Sequence, residues 1–175
     1  LEHPAEILAR GPVRLRRWRG DDVDLVHRVV VESLPHLRPW LKWAGECYDR
    51  DAAAEFLAQS RDRWDLGKAY GYAITEDGVV AGSCALMRPP LGGVLQLGYW
   101  LHPAHTGRGL ATIASSLLVE QAALLPGITR VEIWHDVTNL ASEAVPRRLG
   151  FAEVARQNTR DETATDVVWE LKLSR

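Results

Sequence analysis

Between Gly109 and Leu125 the apolar residues repeat with a helical period. Leu110, Ile113, Ala114, Leu117 and Leu118 fall at i, i+3, i+4, i+7 and i+8, which predicts one buried helix face ended by Pro126-Gly127. A second helix is predicted over Asp51–Trp64, with Ala54, Leu57 and Ala58 on its apolar side. A third runs over Asn139–Leu149, with Asn139 as a helix cap and Gly150 as its stop. Asp21-Asp22 marks a further helix start, with acids where the helix dipole favours them, and Pro35 and Pro39 punctuate the stretch that follows.

Elsewhere the period falls to two. Arg14 and Arg16 alternate with Val13 and Leu15, which predicts a strand over Arg14–Trp18 whose arginines face solvent. Tyr70–Thr75, Val79–Met87 and Val94–Leu101 are short β-rich runs, separated by Glu76-Asp77-Gly78 and by Pro89-Pro90-Leu91-Gly92-Gly93. They read as an antiparallel meander. Val131–His135, Phe151–Arg156 and Asp166–Leu173 complete a set of seven strands. Both helical crossovers lie in the second half, so the sheet should be mixed.

Composition narrows the class. At 175 residues, 46% hydrophobic and 25% charged, the chain suits a single globular domain over 1–175. It opens Leu1-Glu2-His3 without an initiator Met, and residues 1–10 are expected to be flexible or partly foreign to that domain. The net charge of -2 supplies no basic field toward nucleic acid or anionic lipid, and no apolar run reaches the length of a membrane span. Cys47 and Cys84 stand alone, which suits neither a disulfide framework nor a zinc site and points to a reducing cytoplasm.

The segment most informative for chemistry is Gly98-Tyr99-Trp100-Leu101-His102-Pro103-Ala104-His105-Thr106-Gly107-Arg108-Gly109-Leu110-Ala111-Thr112. A strand ends, a glycine loop follows, and the amphipathic helix begins. A helix N-terminus exposes unpaired N–H groups and partial positive charge, and Gly107 and Gly109 remove side chains that would hold an anion away. Arg108 would add a cation and Thr112 a hydroxyl. A phosphate or pyrophosphate is the fitting ligand. No Gly-x-x-x-x-Gly-Lys-Ser/Thr occurs, so this is not a P-loop. A dinucleotide-binding turn is the rival, with Glu132 as its ribose acid. Against it, Thr112 occupies the third glycine position, the loop follows a meander, and Glu132 sits near the start of its strand.

Thr106-Gly107-Arg108-Gly109-Leu110-Ala111 resembles the pyrophosphate motif of the GCN5-related N-acetyltransferase superfamily, Gln/Arg-x-x-Gly-x-Gly/Ala. Gly109 and Ala111 match, and Thr106 replaces the usual Gln or Arg. Asn139-Leu140-Ala141-Ser142-Glu143-Ala144-Val145-Pro146-Arg147-Arg148-Leu149-Gly150-Phe151 resembles Asn-x-x-Ser-x-x-Val-x-x-Lys/Arg-Leu-Gly-Phe of the ribosomal-protein N-terminal acetyltransferase branch. The resemblance implies an acyl-CoA N-acyltransferase fold: mixed α+β, with a splayed, central seven-stranded sheet flanked by helices. It implies acetyl-CoA as cosubstrate, held by Tyr99, Trp100, Leu101, Thr106 to Thr112, Asn139 and Ser142, with Ser142 protonating the departing thiolate. The acceptor is then an amine, either a protein N-terminus or a small molecule, and a homodimer is compatible with the family. The segment His36–Trp43 resembles the helical region that shapes the acceptor site in that branch, or else packs two tryptophans onto the sheet. Glu46, Asp49 and Asp51 would draw a cationic acceptor, or are simply solvated.

The proton acceptor is the open position. Many relatives carry a Glu where this chain has Gln96, and an amide takes no proton. His135, Asp136, His102, or water linked to one of them, are the alternatives, with His135 the first choice. His102-x-x-His105 lacks a third metal ligand, and Cys84 reads as a buried structural thiol. Pro146 removes the N–H that would bond the Ser142 carbonyl, freeing it for a ligand, for water or for a helix kink. A noncatalytic acyl-CoA-binding module on the same fold is the second reading, and Gln96 is what keeps it open.

Overall fold

The computed structural model describes residues 2–44, 47–158 and 164–174. The chain runs β1 (Ile7–Arg10), β2 (Val13–Arg17), α1 (Val23–Leu37), α2 (Arg50–Asp65), β3 (Ala69–Glu76), β4 (Val79–Met87), β5 (Val94–Leu101), α3 (Leu110–Leu124), β6 (Arg130–Asp136), α4 (Leu140–Arg148), β7 (Ala152–Asn158) and β8 (Thr165–Lys172). The strands form one sheet in the order β1-β2-β3-β4-β5-β6-β8-β7. Every pairing is antiparallel except β5 with β6, so the sheet is mixed as its crossovers require.

Among the described residues the sheet has eight strands, not seven. The added strand is β1, in the segment expected to be flexible. Its backbone pairs with β2 from Ile7↔Arg16 to Arg10↔Val13, and the Tyr72 hydroxyl donates to the Ala5 carbonyl at 2.8 Å. Leu1 and Glu46 lie outside the described residues.

Side-chain alternation divides the sheet into two faces. Tyr70, Tyr72, Ile74, Leu95, Leu97, Val131 and Ile133 join Leu110, Ala114, Leu117 and Leu118 of α3 in the larger core. Trp18, Ala73 and Val80 join Val26, Val29, Val30 and Leu34 of α1 and Ala53 and Leu57 of α2 in the smaller one. In α2 the buried residues are thus Ala53, Leu57 and Trp64, while Ala54 and Ala58 are exposed, a one-position rotation of the predicted face. Pro35 does not interrupt α1. It sits in the last turn, and the helix ends two residues later at Leu37. The β3–β4 hairpin closes through Asp77 and Gly78, both at positive φ, as a tight two-residue turn demands.

The start of α1 depends on a buried ion pair. Asp22 is 5% exposed and accepts both Arg16 guanidinium nitrogens, at 2.7 and 2.9 Å, and the Arg19 backbone N–H at 2.9 Å. Burial alone would raise its pKa. The bonds from Arg16 and Arg19 outweigh that and hold the carboxyl below its ordinary value. A depressed carboxylate stabilises the fold above its unfolded pKa and loses that contribution as pH falls through the folded one. Asp22→Asn should therefore cost about 2 kcal/mol near neutral pH. It should also flatten the acid limb of stability below roughly pH 4, measured by urea unfolding across pH.

Candidate active site

Strand β5 loses one of its two partners part-way along. Its parallel register with β6 runs from Val94↔Arg130 to Leu97↔Ile133 and stops, although β5 continues to Leu101 and β6 to Asp136. Pairing with β4 persists to Leu101↔Gly82. The sheet therefore parts after Leu97, and the Gly98–Leu101 edge toward β6 meets no strand among the described residues. Gly82 lets β4 hold this half of β5 closely. A Cβ there would fall 2.1 Å from the Trp100 carbonyl oxygen, so no other residue fits without backbone movement.

Among the described residues, a side-chain bond spans the parting on the α3/α4 side. The Tyr99 hydroxyl donates to the Ser142 carbonyl at 2.9 Å. That carbonyl is free because its helical donor would be the N–H of residue 146, which is proline. Of the fates open to the freed carbonyl, the structure shows capture by Tyr99. Burial pushes the Tyr99 phenol well above its usual range, so the hydroxyl stays a donor at any physiological pH. Asn139 caps α4 by accepting the Ser142 N–H at 3.2 Å. Asn139 and Ser142 thus stand across the gap from Tyr99.

Beyond Leu101 the chain turns through Pro103–His105 and enters α3. Gly107 and Gly109 both adopt φ of 76°, a left-handed conformation that disfavours any side chain, and a Cβ on either would meet open space. Helix α3 has no side-chain cap and no acid in its first turn. By contrast, α2 is capped by Asp49, which accepts the Ala52 N–H at 2.8 Å. The free N–H groups of Leu110, Ala111 and Thr112 therefore face an open glycine rim. Leu110 is buried in the core, so it offers only its backbone.

Other predicted residues are placed differently. The Thr106 hydroxyl donates to the Pro103 carbonyl at 3.0 Å and closes the turn. Arg108 folds back, with Nη1 2.9 Å from Glu76 and Nη2 2.9 Å from His105, rather than reaching over the rim. His102 accepts the Ala104 N–H at Nδ1 and donates from Nε2 to Glu32 of α1 at 2.9 Å, which ties up both ring nitrogens. Cys84 is buried, and burial pushes its thiol up.

His135 does not sit as a proton acceptor. It is 7% exposed, its Nε2 accepts the Trp169 indole N–H at 2.8 Å, and its Nδ1–H donates to the Asp136 carbonyl at 2.7 Å. Alternation turns it to the α3/α4 face, among Val131 and Ile133. Gln96 lies on the opposite face, in register with Glu132 of β6. Glu132 is committed as well: Arg130 is 3.2 Å from one oxygen and the Trp134 indole donates to the other at 3.0 Å. The sequence reading missed a second carboxylate beside Asp136. Asp166 of β8 pairs with Asp136, and its pKa is raised, first by burial and then by the Asp136 charge. Asp136 itself accepts the Thr138 N–H at 2.8 Å.

On the α1/α2 side a cavity of about 630 Å³ reaches Gly98, Tyr99 and Trp100. Trp43 leans on Trp100 of β5 and on Tyr48, with ring centroids 6.0 and 6.4 Å apart, so this one tryptophan of the segment packs onto the sheet and walls the cavity, while Trp40 is exposed. Asp49 is spent as the α2 cap and Asp51 is exposed.

A parted sheet, an uncapped helix start and a cavity on the far face form one arrangement. Residues 13–152 match the family model for the acetyltransferase (GNAT) domain. The chain belongs to the GNAT acetyltransferase family. This GNAT domain is 26% identical over 144 residues to a Bacillus subtilis (strain 168) protein named "Putative ribosomal N-acetyltransferase YdaF", covering 81% of this chain and 78% of that one. It superposes on the RimL ribosomal L7/L12 α-N-protein acetyltransferase in complex with coenzyme A with a TM-score of 0.89, at 21% identity over 96% of this chain and 98% of that one. Mycobacterium smegmatis RimJ in complex with CoA-disulfide superposes with a TM-score of 0.82, at 21% identity over 98% and 90% of the two chains. These structures share the GNAT fold.

The Tyr99–Ser142 bond is separable from the rest of the domain by a double-mutant cycle. Tyr99→Phe should destabilise the fold by about 1–3 kcal/mol, because it orphans a part-buried carbonyl. Pro146→Ala restores a helical N–H to that carbonyl. In its presence Tyr99→Phe should cost measurably less, a coupling of about 0.5 kcal/mol or more in denaturant unfolding.

Proposed function

We propose that the chain is an acetyl-CoA-dependent N-acetyltransferase that transfers acetyl directly to an amine, as the relatives' names suggest of them. The observation that carries this is the uncapped start of α3, behind two left-handed glycines and beside the unpartnered edge of β5. The α3 N–H groups would hold the pyrophosphate, and the Gly98–Leu101 edge would pair with the pantetheine arm as an added strand. An amine approaching from the α1/α2 cavity would then meet the thioester at the parting. The nitrogen forms the amide bond, the carbon–sulfur bond breaks, and the thiolate takes a proton. Ser142, next to the gap, is the proposed donor.

The amine must lose its own proton, and Gln96, Glu132 and His135 are not arranged to take it. We propose that water carries it to the Asp136–Asp166 pair, which register places on the acceptor face at the end of β6. An α-amine, with a pKa of roughly 7.7–8.0, then needs less help than an alkylamine near 10.4. The rate on a peptide N-terminus should rise with pH and level off near pH 8, whereas an alkylamine should keep gaining beyond it.

Acetyl-CoA should raise the melting temperature, equivalent to roughly 2.7 kcal/mol at 100 times its dissociation constant. Gly109→Glu, which puts an acid at the rim, should abolish that rise. Ser142→Ala should lower kcat roughly 10²-fold with little change in acetyl-CoA affinity. Gln96 also favours a second reading, a noncatalytic acyl-CoA-binding module. A melting shift without CoA release from any amine would select it, and no shift at all would reject both readings.

A further inference from the structure

The cavity on the α1/α2 face has a floor of unusually small side chains, and sheet register explains it. Gly71 of β3 pairs with Ala85 of β4, and Ala85 pairs with Gly98 of β5. These three positions lie side by side across three strands and face the same helices. The next row on one side is Ala69–Met87–Gln96 and on the other Ala73–Ser83–Trp100. A row of two glycines and one alanine, overtopped toward β5 by Met87, Gln96 and Trp100, makes a trench, perpendicular to the strands and about two interstrand spacings, or ~10 Å, long.

The trench leads somewhere definite. Its Gly98 end is the first β5 residue past the last β5–β6 pair, so it opens into the parting where acetyl transfer is placed. Its Gly71 end lies under Trp18 and Ser60, whose atoms would stand 3.7 and 3.0 Å from a Cβ on Gly71. Phe56 packs edge-on against Trp18 there, at 6.0 Å. Trp43 and Trp100 wall the other end. A volume of about 630 Å³ is within the usual range of small-molecule sites and far exceeds what a methyl or hydroxymethyl group fills.

We infer that the trench selects the acceptor: a primary amine bearing a bulky apolar group, of aromatic size, within a few bonds of the nitrogen. This rests on the acetyl-transfer reading above and deepens it. With nitrogen at the parting, such a group lies over Gly98 and Ala85 and ends against Trp18 and Ser60, which cover Gly71. A small amine fills only the mouth. The chemistry is common to a free arylalkylamine and to a peptide beginning with a large apolar residue.

The test measures CoA release with acetyl-CoA and two acceptor pairs: phenethylamine against ethylamine, and peptides of one sequence beginning with Phe or Ala. Compared per neutral amine, kcat/KM should be at least roughly tenfold higher for the bulky member. The pair that shows the larger ratio identifies the source, free amine or chain terminus. Ala85→Leu should collapse the ratio toward one while acetyl-CoA still raises the melting temperature. Its new side chain has glycine on both cross-strand sides and fills the trench. Should Ala85→Leu not fold, Ala85→Val is a milder filling of the same position, between Gly71 and Gly98. Equal or better turnover of ethylamine and the Ala peptide overturns the inference and leaves acetyl transfer standing. So does a ratio that survives filling in a folded variant. Release with none of the four acceptors overturns both.

Discussion

The molecule is organised around the loss of one strand pairing. A parallel β5–β6 ladder that ran its full length would satisfy Gly98–Leu101 and seal the middle of the sheet. Instead the ladder ends at Leu97↔Ile133, and the two strands diverge with their backbone groups on offer. Pairing to β4 keeps the freed half of β5 straight, and the Tyr99–Ser142 bond fixes how far α4 stands from it. A sheet usually separates the helices on its two sides. Here the separation is breached at one place, so groups bound on opposite faces can meet.

The alternation of side chains along β5 assigns the two faces. Tyr99 and Leu101 turn toward α3 and α4, where the glycine rim and the α4 cap lie. Gly98 and Trp100 turn toward α1 and α2, where the cavity lies. One strand of alternating residues thus carries half of each proposed subsite, and a shift of one residue in its register would exchange them. Gly82 guards that register, because only glycine admits the Trp100 carbonyl at its observed place.

Local patterns made much of this legible. The helix period of 110–118, the Asp-Gly hairpin and the glycine rim are short-range features, and each element formed within a residue or two of its expected bounds. The missed strand β1 has a different origin: Ile7–Arg10 shows little alternation in burial, being largely exposed, and is strand because β2 pairs with it. Partner choice was likewise hidden. Arg108 has the charge for a phosphate, yet Glu76, more than thirty residues earlier in the chain, claims it. His135 has the right chemistry for a base, but a buried indole on β8 uses its acceptor nitrogen. Gly71, Ala85 and Gly98 have nothing in common along the chain, and only strand register makes them one surface. Pro146 is the converse case. Its effect on the Ser142 carbonyl followed from covalent structure alone, and the structure supplied the identity of the new donor.

The bare start of α3 has a consequence for the economy of the proposed reaction. Backbone N–H groups recognise a phosphate charge, and the acyl end of the carrier lies well away from them. On the proposed reading, this anchor therefore grips the spent carrier as firmly as the loaded one. The product would compete with the next substrate. The velocity would then follow the ratio of acylated to free carrier around the protein rather than the amount of either, making the domain a gauge of acyl supply as well as a consumer of it.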